Sequence, residues 1–328
     1  MLAPNPTSCS LLVVIINFRT PNLVVECLRS LQSEVQKLRT AQVVIADNGS
    51  GDDSLSVLQT AIATHRWQAW ATLTALDHNG GFAAGNNAVI RSALAAERPP
   101  DYVLLLNPDT VVRPDALHRL LDFLAQHPGV GIVGSRLEHP DGTPQHSAFR
   151  FHSIWSEFDQ GLRLGLVSKV LSRWILTPPI AEVPVATDWL AGASMMIRRQ
   201  VFEQIGLMDD KFFMYYEEVD FCLRARQAGW PCWYVPESRV VHLVGQSSGV
   251  TGEQAHQNRR PQYWFNSRTR YFRKHYPYWY AVLTDLGWLF GFSLWQIRRV
   301  LQGKPAIDPP HLLQDFWFNS ALIRGSRG

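Results

Sequence analysis

Carboxylate and amide side chains occur at five places in this sequence where a polar ligand could be bound or a proton moved. Four of these places follow short apolar runs, and the fifth lies in an aromatic segment. They are Asn17, Asp47 in IADNGSGD, residues 79–87 (NGGFAAGNN), Asn107 with Asp109 in LLLNPDT, and the acidic run Glu217, Glu218 and Asp220. Ligands of open parallel sheets bind outside the carboxyl ends of the strands. We therefore expect the first four places to share one crevice.

Asp47 and the glycine-rich segment suit a nucleotide ligand, but each also has a local explanation. A carboxylate at a strand end can accept hydrogen bonds from a base or ribose. The residues DNGSGD would equally form a turn capped by Asp47. Gly80 and Gly81 would let the backbone approach a phosphate or sugar at a helix start, and a plain loop with a helix cap would have the same sequence.

Asn107 and Asp109 place an amide oxygen and a carboxylate after a buried strand. This donor pair suits a hard divalent cation that bridges diphosphate oxygens. A type I turn with Pro108 at its second position explains the same residues. His242, which ends the run RVVH, is by default a satisfied core or surface histidine, although imidazole is also a common metal ligand.

The acidic run begins a predicted helix that also carries Arg224 and Arg226. A helix dipole favours carboxylates in the first turn without any further function. Enclosure by neighbouring aromatic residues would instead raise a carboxylate pKa toward the strength of a general base. These aromatic residues are Phe212, Phe213, Tyr215 and Tyr216.

Alternating strands and helices would position these residues. Apolar, β-branched runs predict buried parallel strands, and amphipathic stretches predict helices between them. The predicted strands are residues 11–16, 42–47, 70–76, 102–107 and 129–135; the helices are 22–38, from about 52, 86–96 and from 114. The pattern predicts the α/β class, with a doubly wound, mostly parallel sheet.

Later segments are less regular. Residues 137–184 lose their periodicity, which predicts an irregular excursion that faces the substrate. Regular structure is predicted again within residues 187–199, in a short helix to Gly206 and in the helix of the acidic run. The runs CWYV and RVVHLV predict a hairpin-like pair.

Length and composition indicate a folded enzyme. With 328 residues, 46% hydrophobic and 18% charged, the chain fits one large α/β domain plus an appended segment. We place the boundary between residues 252 and 253. A net charge of +3 gives nucleic-acid binding little support. The four cysteines lack zinc-type spacing and the N-terminus lacks signal-peptide features, so a reduced, cytoplasmic protein is expected.

Taken in order, the motifs of this chain resemble those of the family-two glycosyltransferases. They are VVIINF, IADNGSGD, NGGFAAGNN, LLLNPDT, WLAGASMMIRRQVFEQIGLMDDKFFMYYEEVDFCLRARQAGW and PESRVVH. The NPD variant and the FMYYEDVD-type run are similar to those of the bacterial rhamnosyltransferase-like subgroup. The resemblance covers residues 11–245. It implies a GT-A fold, a divalent metal (Mg²⁺ or Mn²⁺) and direct displacement with inversion at the anomeric carbon.

The resemblance also implies roles for the candidate residues. Glu218 takes the position of the acid that deprotonates the acceptor hydroxyl, with Glu217 and Asp220 in support. Asp109 and His242 would hold the metal. Trp189, Leu190 and Gly192 would line the acceptor side. The nucleotide-diphosphate sugar donor would contact Asn17, Asp47, Asn79, Gly80, Gly81, Asn86 and Asn107.

Two residues depart from the family pattern. Glu218 replaces the usual aspartate, and Asn107 replaces the first acid of the Asp-x-Asp metal motif. Glutamate is a competent base, and an amide oxygen can still bind a cation directly or through water. The chemistry therefore stays possible, while the metal dependence is left open.

The C-terminal segment is rich in arginine and aromatic residues. Residues 279–301 are apolar but contain Asp285 and Gln296, which favours a helix lying at an anionic bilayer over one that spans it. The alternative is that the apolar side of this helix packs on the catalytic domain. The basic residues could also clamp the donor diphosphate. They are Arg268, Arg270, Arg273, Lys274, Arg298 and Arg299.

The function predicted from these features is transfer of a deoxyhexose, favouring L-rhamnose from dTDP-rhamnose, to a cell-surface glycan precursor. At a membrane, the acceptor would be a polyprenyl-diphosphate-linked glycan and the enzyme peripheral at the inner face. A UDP-hexose donor is an alternative that no local feature separates. A non-catalytic sugar-nucleotide or glycan-binding module would be expected to lose the base or metal carboxylate, and both are present. A nucleotidyltransferase lacks support, because no basic glycine-rich loop follows the first strand. The sequence does not indicate an oligomeric state.

Overall fold

The structure is a computed structural model that describes residues 10–243 and 258–325 of the chain. Cys9 and the expected boundary between residues 252 and 253 lie outside the described residues. Contacts divide the chain into two compact units. The first comprises Met1–Ala148, Ile180–Phe213 and Glu217–Ser247, and the second comprises Phe149–Pro179, Met214–Tyr216 and Ser248–Gly328. Residues 149–179 therefore group with the C-terminal helices.

One large sheet organises the first unit. Within the described residues it has nine strands: β1 Leu11–Asn17, β2 Ala41–Asp47, β3 Ala71–Ala75, β4 Tyr102–Leu106, β5 Thr110–Val112, β6 Ile132–Glu138, β8 Val185–Thr187, β10 Ser194–Arg198 and β11 Cys232–His242. Two short strands, β7 (Ala148–Phe149) and β9 (Trp189–Leu190), lie outside it. The order is β3-β2-β1-β4-β10-β6-β11-β5, with β8 paired to β11.

The strands predicted from apolar runs form the parallel part of the sheet. β1 is parallel to β2 and β4, and β2 is parallel to β3. Every residue of β1 and β4 is buried, as expected for central strands covered on both faces. β10 is antiparallel to both β4 and β6, while β6 is parallel to β11.

The helices of the first unit lie largely where the sequence predicts them. They are α1 Pro21–Leu38, α2 Ser54–Thr64, α3 Gly81–Leu94, α4 Ala116–Gln126, α7 Arg199–Ile205 and α8 Glu217–Gln227. α3 begins five residues before the predicted position 86. Its first seven residues include two glycines and two asparagines, both poor helix formers, so propensity alone misplaces the start.

The hairpin predicted from CWYV and RVVHLV is wrong. CWYV and the residues RVVH belong to the single strand β11, whose register against β6 shifts between Val235 and Arg239. Pro236 therefore marks a bulge within a strand and not a turn between two strands. The hydroxyl of buried Ser238 lies 2.8 Å from that of Ser135, which lies 2.7 Å from that of Ser194.

The irregular excursion predicted for residues 137–184 is also partly wrong, because it contains two helices of the second unit. These are α5 (Ile154–Leu162) and α6 (Gly165–Val170). Ser153 and Ser156 form a capping box at the start of α5. Because the usual signature has Glu or Gln at the third helical position, a serine there gave no signal in the sequence.

Close helix packing organises the second unit, which also contains α9 (Gln262–His275), α10 (Tyr278–Leu301), α11 (Leu312–Asn319) and α12 (Ala321–Arg324). α10 packs along α5. A Cβ atom on Gly161 would lie 2.5 Å from the carbonyl oxygen of Trp288, and one on Gly291 would lie 2.6 Å from that of Phe158. Both positions therefore require glycine at this helix crossing.

A buried charge cluster joins α5, α9 and α10. Arg268 is 3% exposed; its guanidinium donates to Glu157 at 2.7 Å and pairs with Asp285. His152 Nδ1 lies 2.7 Å from Glu157 Oε1. Burial alone would raise the pKa of Glu157, but the charges of Arg268 and His152 lower it to about 2. Arg268 is thus a structural residue and is not free for the bilayer or diphosphate roles considered above.

The cysteines that the structure describes carry free, buried thiols. Cys27, Cys222 and Cys232 all belong to the first unit. Burial raises the pKa of the Cys27 thiol to about 12. Across residues 10–243 and 258–325, no helix combines the length and the apolar character that crossing a bilayer requires.

Candidate active site

Asn17 and Asp47 lie side by side at the carboxyl ends of β1 and β2. Asn17 Nδ2 donates to Asp47 Oδ1 at 2.7 Å, and the Ser50 hydroxyl donates to the same oxygen at 2.5 Å. The backbone N–H of Ser50 donates to Asp47 Oδ2 at 3.1 Å. The turn explanation therefore describes what both residues do in this structure. Binding of a nucleotide base by Asp47 stays a prediction.

The Asn79 side chain and the Gly81 backbone hold the glycine-rich segment to the neighbouring loop. Asn79 Oδ1 accepts from Asn48 Nδ2 at 3.0 Å and from Gly81 N at 2.9 Å. Gly81 has a φ of +86°, and a Cβ there would lie 1.9 Å from the carbonyl oxygen of Phe213. Packing against Phe213 is thus sufficient to require Gly81. Asn48, which the sequence did not single out, fixes this loop by also donating to the Gly81 carbonyl at 3.1 Å.

Asn86 lies in the second turn of α3. One polar atom of its side chain is hydrogen-bonded and the other is not. Its Nδ2 donates to the Phe82 carbonyl at 2.9 Å. Its Oδ1 is buried and has no hydrogen-bond partner in the described part of the chain. An unpaired buried acceptor is costly unless a ligand or water supplies a donor, which suits the predicted donor-site role.

Asp109 and His242 are 133 positions apart in sequence and meet at the same edge of the sheet. β5 pairs with the end of β11, so that Thr110 lies opposite His242. Asp109 Oδ1 lies 3.5 Å from His242 Nε2. Asp109 is 1% exposed, and its Oδ1 accepts no hydrogen bond within the described residues.

This pair fits a divalent cation. One carboxylate oxygen and one imidazole nitrogen are both free to bind, and a donor diphosphate and water would complete the coordination. Among residues 10–243 and 258–325, no group of three or more His, Cys, Asp or Glu side chains is arranged to hold a metal by itself. The Thr110 hydroxyl donates to the Asn107 carbonyl at 2.7 Å, so the turn explanation of NPD is compatible with cation binding.

The predicted acceptor segment runs past the end of β4. Asn107 N donates to the Ala193 carbonyl at 3.0 Å, which holds the segment beside the NPD turn. Trp189 is 8% exposed, and a Cβ on Gly192 would lie 3.2 Å from the Phe82 ring. Leu190 is fully buried against Gly134. Leu190 therefore belongs to the core, whereas Trp189 and Gly192 keep the predicted acceptor role.

The acidic run begins α8, which packs against β9. β9, Trp189–Leu190, is part of the predicted acceptor segment. The Oε2 atom of each is buried without a hydrogen-bond partner among the described residues. Burial raises the pKa of Glu218 to about 7. Burial and the neighbouring charge of Glu218 raise the pKa of Glu217 well above its usual range. A carboxylate of this strength suits a general base near neutral pH.

Asp220 has a different environment from the two glutamates. It is fully buried and accepts from Arg224 Nε at 2.8 Å. Arg224 also donates to the carbonyls of Ile205 and Leu207 at 2.9 and 3.0 Å. This ion pair fastens α8 to the end of α7, so Asp220 is better assigned to positioning the helix than to contacting the acceptor. The spacing of four residues between Asp220 and Arg224 was the available signal.

Comparison with known proteins agrees with the motifs of this site. A model of the family described as "Glycosyltransferase like family 2" matches residues 6–274. N-acetylglucosaminyl-diphospho-decaprenol L-rhamnosyltransferase of Mycobacterium tuberculosis (strain CDC 1551 / Oshkosh) is 30% identical over 64% of this chain and 69% of its own length. Rhamnosyltransferase WbbL of Escherichia coli (strain K12) is 27% identical over 50% of this chain and 61% of its own length. Low-salt glycan biosynthesis hexosyltransferase Agl10 of Haloferax volcanii is 28% identical over 66% and 61%.

Two solved structures share the fold. GalNAc-T7, crystallised with UDP, GalNAc and Mn²⁺, superposes with a TM-score of 0.61 at 15% identity, over 95% of this chain and 57% of its own. Mannosyltransferase PcManGT from Pyrobaculum calidifontis, in complex with GDP-Man and Mn²⁺, gives 0.56 at 16% identity, over 92% and 77%. This chain therefore spans less than two thirds of the length of the first structure.

Proposed function

Because this chain belongs to the glycosyltransferase-like family 2 and is a glycosyltransferase with the GT-A fold, we propose that it transfers L-rhamnose from dTDP-rhamnose to a lipid-linked glycan. The names of three relatives support the sugar, since they are rhamnosyl or dTDP-rhamnosyl transferases from Mycobacterium tuberculosis, Escherichia coli and Shigella flexneri. The first of these also supports a diphosphate-linked polyprenol acceptor.

Glu218 carries the proposed chemistry. The supporting observation is its buried, unpartnered carboxyl oxygen together with a pKa of about 7. In the proposed reaction the Glu218 carboxylate removes the proton of the acceptor hydroxyl as that oxygen forms a bond to the anomeric carbon. The bond from this carbon to the donor phosphate breaks, and the nucleoside diphosphate leaves with the electron pair. A single displacement of this kind inverts the anomeric carbon.

Asp109 and His242 would hold a divalent cation, which supplies charge neutralisation at the donor diphosphate when bound. Asn86 contributes an unpaired acceptor oxygen for a donor hydroxyl. Trp189 and Gly192 would shape the acceptor side next to the acidic run. The Oε2 atom of Glu218 is itself shielded from solvent.

Transfer assays with purified protein test the role of Glu218. We expect Glu218→Gln to lower the transfer rate from the preferred donor by about 10²–10⁴-fold, the usual contribution of a general base. The matched control Glu26→Gln changes a carboxylate that is 58% exposed on α1 and should keep full activity. Undiminished transfer by Glu218→Gln would remove this residue from the base role.

A donor screen with Mg²⁺ or Mn²⁺ tests the sugar. We expect dTDP-rhamnose to be consumed in preference to UDP-hexoses. The hexosyltransferase among the relatives makes a hexose donor the second candidate. Preference for a UDP-hexose would overturn the rhamnose assignment and leave the role of Glu218 intact.

A further inference from the structure

The turn that precedes the acidic run has an unusual backbone. Tyr215 and Tyr216 have φ angles of +69° and +68°, so two successive tyrosines adopt the left-handed conformation. In an L-residue this conformation brings Cβ too close to the following carbonyl oxygen, and it is a genuine outlier for bulky side chains. Something outside the local sequence must therefore stabilise it. We call residues Met214–Tyr216 the tyrosine turn.

Side chains of α9 hold the tyrosine turn within the second unit. The hydroxyl of buried Ser267 donates to the Met214 carbonyl at 2.9 Å. The Tyr215 ring stacks on the Tyr263 ring, with centroids 6.3 Å apart and planes inclined by 19°. Residues in rare backbone conformations persist only where the surrounding structure determines them. These contacts supply part of that support.

The Tyr216 ring supplies the rest, because it is buried in an aromatic cluster of the same unit. It is 6% exposed, and its centroid lies 4.9 Å from that of His152 and 5.6 Å from that of Tyr271. Trp264 lies against it at 6.3 Å. A close-packed interior leaves a ring of this size little freedom to move. The enclosed ring therefore fixes the backbone at Tyr216.

Both ends of the tyrosine turn lead into segments of the candidate active site. Before the turn, Phe82 N donates to the Phe213 carbonyl at 2.9 Å, which fixes the chain to the glycine-rich segment. After the turn, Tyr216 is bonded to Glu217, the first residue of α8. The Oε2 atoms of Glu217 and Glu218 accept no hydrogen bond from the described residues. The direction of these carboxyl groups therefore depends on the backbone at the start of α8.

We infer that Ser267 and Tyr216 are positioning residues for the reaction: by holding the tyrosine turn they fix the start of α8, and so hold Glu218 where it can accept the proton of the acceptor hydroxyl. Strained backbone of this kind is concentrated at active sites, where it is part of the mechanism. The inference rests on the proposed base role of Glu218. It assigns neither Ser267 nor Tyr216 a contact with the donor or the acceptor.

Transfer kinetics of the full-length Ser267→Ala variant test the inference, because this change removes the hydroxyl that holds the Met214 carbonyl. We expect kcat to fall about tenfold, since a small displacement of a catalytic group is costly. The KM of the donor that wild type prefers should stay unchanged. Thr269→Val is the matched control, because it removes another hydroxyl of α9, one that donates to the Asn319 carbonyl at 3.4 Å. It should keep the wild-type kcat.

A double-mutant cycle with Glu218→Gln separates positioning from a loss of folded protein. In the Glu218→Gln background, Ser267→Ala should not lower kcat further, because the group that it positions has already been changed. A change that only destabilises the fold would lower kcat by the same factor in both backgrounds. Equal factors, or wild-type kcat in folded Ser267→Ala, would overturn the inference. Full activity of Glu218→Gln alone would overturn the base role, and the inference with it.

Tyr216→Gly and Tyr216→Phe provide a second, independent test. Glycine adopts the left-handed conformation without steric cost but removes the ring from the aromatic cluster. We expect Tyr216→Gly to lower kcat about tenfold at an unchanged donor KM. Tyr216→Phe retains the ring and should restore kcat to the wild-type level. Thermal unfolding shows whether each variant is folded at the assay temperature, and wild-type kcat in folded Tyr216→Gly would exclude the positioning role of this ring.

Discussion

At the scale of single residues, the raised pKa that suits Glu218 to act as a general base also lowers the stability of the folded protein. The carboxyl oxygen Oε2 of Glu218 is buried without a hydrogen-bond partner among the described residues, and the pKa of this side chain is raised from 4.5 to about 7. Between these two pH values the folded protein holds a proton on Glu218 that the unfolded chain releases. Folding stability therefore falls as the pH rises from about 4.5 to about 7.

Glu218→Gln should reveal this cost. At pH 8 the variant should melt several degrees above wild type, because it no longer buries a charge, while at pH 4 the two should nearly coincide. Thermal unfolding across this pH range measures the effect. Glu26→Gln should show no such pH-dependent difference. A constant difference between Glu218→Gln and wild type at all pH values would contradict the raised pKa.

The residues of the site were predictable from sequence in type and order, but their partners were not. Asp109 and His242 were expected to act together, and the sheet brings them to 3.5 Å. Asp220 was expected to support Glu218 in the same way as Glu217. Its ion pair with Arg224, and the carbonyls of α7 that hold Arg224, depend on tertiary packing that local sequence does not encode.

At the scale of elements, the periodicity of apolar residues predicted the uninterrupted strands correctly and failed where a strand contains a bulge. β1 and β4 are apolar almost throughout, and β2 contains the apolar run VVIA, so their positions followed directly from the sequence. β11 was split into two strands because Pro236 resembles a turn signal, whereas tertiary pairing with β6 keeps the strand continuous through a bulge. The crossing of α5 and α10 was not predicted, because its glycines, Gly161 and Gly291, are more than a hundred positions apart in the sequence.

The crossing leads to a matched pair of variants. A Cβ on Gly291 would meet the Phe158 carbonyl oxygen at 2.6 Å, whereas one on Gly287 has its nearest neighbour, the Ile154 carbonyl oxygen, at 3.4 Å. Gly291→Ala should therefore destabilise the protein by about 1–3 kcal/mol through overpacking. Gly287→Ala should be neutral or stabilising by up to about 1 kcal/mol, since alanine favours helix. Urea unfolding distinguishes them, and equal effects would show that the helices can separate freely.

At the scale of the whole molecule, the chain passes between its two units four times within the described residues, after Ala148, Pro179, Phe213 and Tyr216. Removing the C-terminal helices would strip α5 of its partner α10 while leaving α5 inside the chain. Point variants are therefore the appropriate probes of the second unit. The composition change near residue 252 could not reveal this division, because residues 149–179 join the second unit by contact and not by sequence order.

The buried cysteines of the first unit report how often this unit opens. Cys27, Cys222 and Cys232 belong to that unit and are buried. A thiol reagent can modify these three only when the unit opens, because the thiolate is the reactive form and it is inaccessible in the closed state. In a Cys9→Ser variant, mass spectrometry should show three unmodified thiols under native conditions and three modified ones in denaturant. Rapid native labelling would mean that the sheet opens far more often than its burial suggests.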